Sequence, residues 1–307
     1  MSFLRSSIPD LPEDLTFAGK TVLVTGANTG LGYATALHMV QRGAERLIVG
    51  VRSLEKGEAA QAEFLADPIV AARKPPPDIL VLEIDMASER SVVAFAGKVE
   101  ASVKNLDVAI LNAGVYPFRW AVSTSTEPQR EMTMQVNYVS TTLLANRLLP
   151  ILRSSSSRSS SPSNLCIVGS VSSVPIDLSY FPKGRDIFDN MSDPSLFRGQ
   201  KRYGESKLLL ASFVESLAKE VDPKEIIVNN VCTGPVYTNL ARNAPWYLKP
   251  LTVTGLYLTA LGANTPEVGS RLIVRAAAED EHTHGHLLVK GSPARYVGYT
   301  SLFIKLC

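Results

Sequence analysis

Short apolar runs rich in β-branched residues recur along this chain, and stretches with helical spacing of apolar positions lie between them. The runs at 20–26, 46–51, 79–84, 106–112, 164–169 and 286–290 read as strands. The stretches 33–40, 59–72, 131–152 and 265–278 read as helices. The second is closed by Lys74-Pro75-Pro76-Pro77, which cannot continue a helix, and the last opens on Pro266, suited to a first helical turn. Strand-then-helix alternation predicts an α/β protein, with a doubly wound parallel sheet of about seven strands buried on both faces by helices.

Four stretches break the rhythm. Residues 1–19 form an arm in which Pro9 and Pro12 oppose regular structure, and the serine-rich run 154–163 reads as a low-complexity link into the next strand. Between Ser170 and Tyr203 lie 32 residues rich in aromatics, proline and aspartate, among them Tyr180, Phe181, Phe188 and Phe197. This insertion, 171–202, either walls a pocket or covers an apolar flank of the sheet. Residues 239–264 carry Trp246-Tyr247-Leu248 and an apolar run at 256–261, and read as a lid, a packing helix or a surface touching a membrane or partner. No internal repeat or domain boundary appears, so 1–307 is expected to be one domain.

The first strand ends in Gly26-Ala27-Asn28-Thr29-Gly30-Leu31-Gly32 and then enters a helix. Strand, glycine-rich turn and helix make a pyrophosphate cradle. Glycines let backbone approach the anion, and the helix N-terminus adds amide donors and a positive dipole end. The second strand ends in Arg52, where a hydroxyl-binding acid would select NAD; an arginine fork suits a 2′-phosphate, unless Arg52 is simply solvated.

Tyr203-Gly204-Glu205-Ser206-Lys207 sets a phenol and an ammonium four residues apart, about 6 Å from each other on one helix face. The neighbouring positive charge is expected to lower the phenol towards the range of an acid–base catalyst.

With Gly26, Gly30 and Gly32, Asn112-Ala113-Gly114, Asn137, Ser170, Tyr203 and Lys207 in this order, the chain resembles the short-chain dehydrogenases/reductases. The resemblance runs over 20–238 and more loosely to 289. The glycine opening and the run 52–57 are similar to those of retinol dehydrogenase and protochlorophyllide reductase relatives. It implies a single Rossmann-type domain using NADP(H) to reduce a bulky apolar ketone or aldehyde, or to oxidise the alcohol.

In that family pattern the cradle comprises Gly26, Asn28, Thr29, Gly30, Leu31 and Gly32. Asp85, with Met86 beside it, matches the acid near the adenine, and Asn112, Ala113 and Gly114 lie along the cofactor. Gly234, Val236 and Thr238 match the turn near the nicotinamide, with Thr233 in place of its first proline and Pro235 after the glycine. Tyr203 is implied as proton donor, Lys207 as the cation that tunes it and binds the ribose, and Asn137 as holder of a relay water. Ser170 would hold the substrate oxygen because it directly follows an apolar strand, with Ser172 in reserve. Two other readings keep the cofactor site: non-redox cyclisation or isomerisation by the same pair, or nucleotide sensing without catalysis.

Composition narrows the partners. A net charge of +2 with dispersed basic residues argues against nucleic acid. Cys166, Cys232 and Cys307 are far apart, and the first two sit in apolar strand patterns, so they read as thiols of a cytoplasmic protein. No run reaches the length of a membrane span, leaving peripheral contact through the lid, and the N-terminus does not read as a secretory signal. His282, His284 and His286 lack acidic or cysteine companions at ligand spacing, so no metal is expected. A small apolar substrate is the expected partner, with the chain a homodimer or a monomer.

Overall fold

A computed structural model describes residues 8–125, 129–159, 161–236 and 263–294. Its centre is one eight-stranded sheet: β1 (Thr21–Thr25), β2 (Arg46–Val51), β3 (Asp78–Glu83), β4 (Val108–Leu111), β5 (Ser163–Val168), β6 (Ile226–Cys232), β7 (Leu287–Val289) and β8 (Ser292–Ala294). The spatial order is β3-β2-β1-β4-β5-β6-β7-β8. Every pair is parallel except β7 with β8. The order reverses between β1 and β4, which opens a crevice at their carboxyl ends.

The period-two alternation of the strands sorts two cores. Val22 and Val24 of β1 face α1 (Gly30–Gln41), α2 (Leu54–Ala66) and α6 (Pro266–Ala276), while Leu23 faces α3 (Glu89–Ser102), α4 (Thr141–Ser159) and α5 (Gly199–Glu220). Helix α1 packs directly on α6.

Four elements differ from the sequence reading. Helix α2 begins at Leu54, not 59, because Ser53 caps its first turn by accepting from the Lys56 amide, and it stops at Ala66, where Asp67 caps a separate turn, Pro68–Ala71. The expected helix 131–152 begins with Met132–Met134 and then widens into a π turn, Gln135–Ser140, before α4. The serine run is not a link: α4 continues through it to Ser159. Ser155 is buried, donates to the Ile151 carbonyl at 2.8 Å and accepts from the Leu106 amide at 2.5 Å. Finally, an eighth strand follows a two-residue turn in which Lys290 and Gly291 both take positive φ, 54° and 78°, the geometry that closes a tight hairpin.

The arm is tied down. The Arg42 guanidinium donates to the carbonyls of Leu11, Pro12, Glu13 and Leu15, and Arg271 pairs with Asp10 at 2.5 Å. Ile8, Leu11 and Phe17 are buried beneath it. No helix among the described residues is long and apolar enough to cross a membrane. The lid stretch, apart from 263–264, lies outside the described residues, as do the N-terminal residues 1–7 and Cys307.

Candidate active site

The glycine turn needs its glycines for two different reasons. Gly26 and Gly30 sit at φ 69° and 59°, where side chains are strained. A Cβ on Gly32 would lie 2.2 Å from the Gly26 carbonyl oxygen and 2.5 Å from Asn112 Nδ2. No side chain caps α1 and no acid occupies its first turn, the setting in which a helix N-terminus, here beside Asn28, Thr29 and Leu31, favours an anion. Asn112 braces the turn from β4, donating from Nδ2 to the Thr25 carbonyl at 2.9 Å. Thr25 Oγ1 accepts the amides of Asn112 and Ala113 in return, at 3.0 and 3.1 Å.

Along the rim, Arg52 follows β2 directly, is exposed, and forms no ion pair among the described residues. Asp85 follows β3 by two residues and holds its own turn, Oδ1 accepting from the Ala87 amide at 3.0 Å. Met86 is buried, and its carbonyl accepts from Ser140 Oγ at 2.6 Å. Beyond β6, Gly234 takes φ 68°. Val236 bridges to Asn264 and packs so closely on α6 that a Cβ on Gly269 would meet its Cγ2 at 2.6 Å and Leu31 at 3.2 Å. Thr238 lies outside the described residues.

At the floor of the crevice Ser170, Tyr203, Lys207 and Asn137 converge. Ser170 is the cap of a turn, Val171–Ser173, that begins just beyond β5, and its side chain is near enough to the Tyr203 phenol to draw it down. Ser172 is exposed. Lys207 Nζ lies 5.8 Å from the Tyr203 ring centroid and donates to the Val168 carbonyl at 2.7 Å. A Cβ on Gly114 would sit 3.2 Å from Asn137 Oδ1 and 3.9 Å from Lys207 Nζ, so these groups surround one backbone corner.

The electrostatics correct one expectation. Burial pushes the Tyr203 phenol up to about 12, with the Ser170 side chain pulling the other way. Burial pulls Lys207 down to about 8. In the protein alone the low-dielectric surroundings outweigh the neighbouring charge, so the phenol is not lowered. The Asn137 side chain is engaged by the fold itself. Its amide is spent on the Val115 main chain, accepting at 2.8 Å and donating at 3.0 Å, and on Ser206 Oγ at 3.1 Å.

Several further neighbours lie around Tyr203, and the sequence reading had not named Tyr116, Phe118 or Trp120. The Tyr116 ring lies 5.0 Å from that of Tyr203 and 5.1 Å from Phe118, and Trp120 meets Phe197 edge-on at 5.5 Å. Cys232 is a buried free thiol whose Sγ accepts from the Val171 amide at 3.2 Å. The signal for the aromatic group was present in Tyr116-Pro117-Phe118-Arg119-Trp120, three aromatics in five residues after Gly114. The insertion does cover a flank: Leu178, Phe181 and Met191 pack with Met134, Leu208 and Leu209. Its end also reaches the crevice through Phe197.

Together these groups offer an anion cradle, a phenol beside a hydroxyl, and a buried ammonium one helical turn from the phenol. That arrangement can hold a phosphate-bearing cofactor across the switch point and give a proton to a substrate oxygen.

The sequence profile of a family described as short chain dehydrogenase matches residues 20–174 and 195–246, and the skipped stretch falls within the insertion. A short chain dehydrogenase of Arthrobotrys oligospora is 38% identical over 280 residues, 91% of this chain and 84% of that protein. Among solved structures, the Pseudomonas aeruginosa RhlG/NADP complex superposes with a TM-score of 0.65 at 22% identity, covering 90% of this chain and 97% of that one. The 3-oxoacyl-[acyl-carrier protein] reductase of Brucella melitensis in complex with NAD gives 0.63 at 20% identity, over 89% and 96%.

Proposed function

The chain belongs to the short-chain dehydrogenase family, and we propose that it is an NADPH-dependent reductase of a bulky apolar ketone or aldehyde. The observation that carries this reading is the convergence of Ser170, Tyr203 and Lys207 at the end of β5, beside an uncapped helix N-terminus.

The residues fit a nicotinamide dinucleotide. Gly26, Gly30 and Gly32 leave a cradle that a Cβ would fill or strain. Asp85 and Met86 would lie at the adenine, Asn112 to Gly114 along the middle, and Gly234 and Val236 at the nicotinamide end. The NADP and NAD of the two solved structures support this class of cofactor. Arg52, exposed and without an ion pair among the described residues, supports NADPH through a 2′-phosphate contact. When bound, the cofactor supplies the hydride.

The protein's own part is to orient the carbonyl and move a proton. Ser170 Oγ donates to the substrate oxygen and Tyr203 delivers its hydroxyl proton to it. A phenol held near 12 is protonated throughout the neutral range, which suits the acid of a reduction better than the base of an oxidation. Lys207, charged below about 8, stabilises the phenolate left behind. With the Asn137 amide engaged, its main-chain carbonyl, in the π turn, is the group left to hold a relay water. The half-buried Tyr116, Phe118, Trp120 and Phe197 near Tyr203 support an apolar substrate.

Calorimetric titration of cofactor-stripped protein with NADPH and NADH, then NADPH consumption with a panel of apolar carbonyl compounds, tests the reading. Tight NADPH binding and turnover are expected. Binding of neither cofactor would overturn it.

A further inference from the structure

Tyr203 is flanked on α5 by two side chains that have left water entirely: Arg202 is 0% and Glu205 1% exposed. They pair with each other, Arg202 Nε to Glu205 Oε2 at 2.9 Å. Each also reaches into the insertion. Arg202 Nη1 donates to the Met191 carbonyl, and Glu205 Oε1 accepts the Tyr180 hydroxyl. The Arg202 guanidinium stands 5.7 Å over the Phe197 ring, and Lys201 Nζ covers the Tyr180 ring at 3.3 Å. Burial and the Glu205 bond keep Tyr180 protonated, so it remains the donor. Between the two ionic residues, Gly204 lets the insertion lie against the helix, since a Cβ there would meet Ile176 at 2.5 Å and the Ser172 carbonyl at 2.6 Å.

We infer that Arg202 and Glu205 are positioning residues, whose buried pair clamps the insertion onto the helical turn that carries Tyr203 and thereby holds the Tyr203 hydroxyl against Ser170. Ser170 opens the insertion and Tyr203 follows it, with 32 residues between them. A loop of that length does not by itself set the distance between its ends. The fastenings at Arg202, Gly204 and Glu205 lie within three residues of the phenol, so they fix the separation where it matters.

An apolar contact would cover this flank as well, because apolar packing is non-directional and avoids the desolvation cost of two ions. A guanidinium fork shared between a carboxylate and a carbonyl fixes an angle as well as a distance. One nitrogen of that fork, Nη2, is buried without a hydrogen-bond partner among the described residues. A group retained despite an unsatisfied donor is better explained by geometry than by stability. The consequence for turnover rests on the proposed role of Tyr203 as proton donor; the clamp itself does not.

Single truncations would strand a buried charge and unfold the chain, so the test uses the apolar double variant Arg202→Met/Glu205→Leu, together with Tyr180→Phe. Two readouts apply: the ring 13C resonance of Tyr203 in tyrosine-labelled protein, and kcat against KM for NADPH-dependent reduction. The double variant is expected to keep its fold and cofactor affinity and to shift the Tyr203 resonance. Its kcat should fall about tenfold or more at little-changed KM, as misplacement by ~1 Å costs up to about 100-fold. Tyr180→Phe should move both readouts in the same direction by less. An unmoved resonance with kcat within about twofold of wild type, less than the tenfold that 1.4 kcal/mol represents, would overturn the clamp. Should the double variant fail to fold, Tyr180→Phe decides by the same criteria. If wild type consumes no NADPH with any carbonyl compound, the proposed function fails while the resonance still decides the clamp.

Discussion

Lys207 Nζ is tethered 2.7 Å from the main-chain carbonyl of Val168, the last residue of β5. A helix-borne charge is thereby pinned to the strand end that Ser170 follows by two residues, so the cation and the Ser170 hydroxyl share one anchor. Its burial carries a cost that pH can expose.

In the unfolded chain Lys207 titrates near 10.5, and in the folded chain near 8. Between those values the unfolded state holds a proton that the folded state has released, so stability should rise with pH across the window, by up to about 3 kcal/mol. The buried Cys166 thiol, pushed up from 9.0, acts in the opposite sense from about 9, and the Tyr33, Tyr180 and Tyr203 phenols do so above 10, where their unfolded forms ionise. Urea unfolding at about pH 7.5 and about pH 9 should show a rise in wild type that is lost in Lys207→Met, below the range where the thiol and phenols oppose it. A rise of equal size in the variant would assign it to another group.

Replacing Tyr203 by phenylalanine removes one oxygen from the crevice. Loss of an acid–base group lowers kcat by about 10²–10⁴-fold. Cofactor affinity, measured by calorimetry, should stay close to wild type because the cradle lies on α1. Retained turnover would remove Tyr203 from the chemistry.

Arg52 should govern cofactor choice. Charge-assisted hydrogen bonds contribute about 1.5–3 kcal/mol, so Arg52→Ala should narrow the NADPH-over-NADH affinity ratio by roughly 10- to 100-fold. NADH affinity should be unaffected. A preference for NADH in wild type would overturn this role.

Ser155 supports a distant strand. Its hydroxyl serves both the Ile151 carbonyl and the Leu106 amide, just before β4. Ser155→Ala would leave a buried amide unsatisfied, at about 1–3 kcal/mol of stability. Thermal unfolding measures this; a change well below that range would mean the amide finds another partner.

That serine also shows where sequence reading stopped. Strand positions were legible because β-branched apolar runs have few alternative fates, and β2 coincides with its expected bounds. The run 154–163 was misread on composition, although Ile151, Leu152, Ser155 and Ser156 continue one buried helical face. Its hydroxyls are satisfied by carbonyls one turn back, by the Leu106 amide and by the Lys224 carbonyl, and the last two partners are non-local. Likewise the order of Ser170, Tyr203 and Lys207 was readable, but the direction of the Tyr203 shift was not, since burial is a property of the packed fold. The bonds of Asn137 to Val115 and of Glu205 to Tyr180 cross more than 20 residues, with no local pattern to announce them. The strand Ser292–Ala294 is too short to carry an alternation of its own.

The contact of Val236 and Leu31 with Gly269 gives the molecule a schedule. Chains leave the ribosome N-terminus first, and β1, α1 and β2 precede α6 by more than 200 residues. Yet α1 rests on α6, which is among the last elements made. The nascent chain must therefore carry its glycine turn with one side of the following helix bare until α6 emerges. Cofactor can engage a backed cradle only after α6 emerges, so ligand-driven stabilisation belongs to the finished chain and not to the growing one.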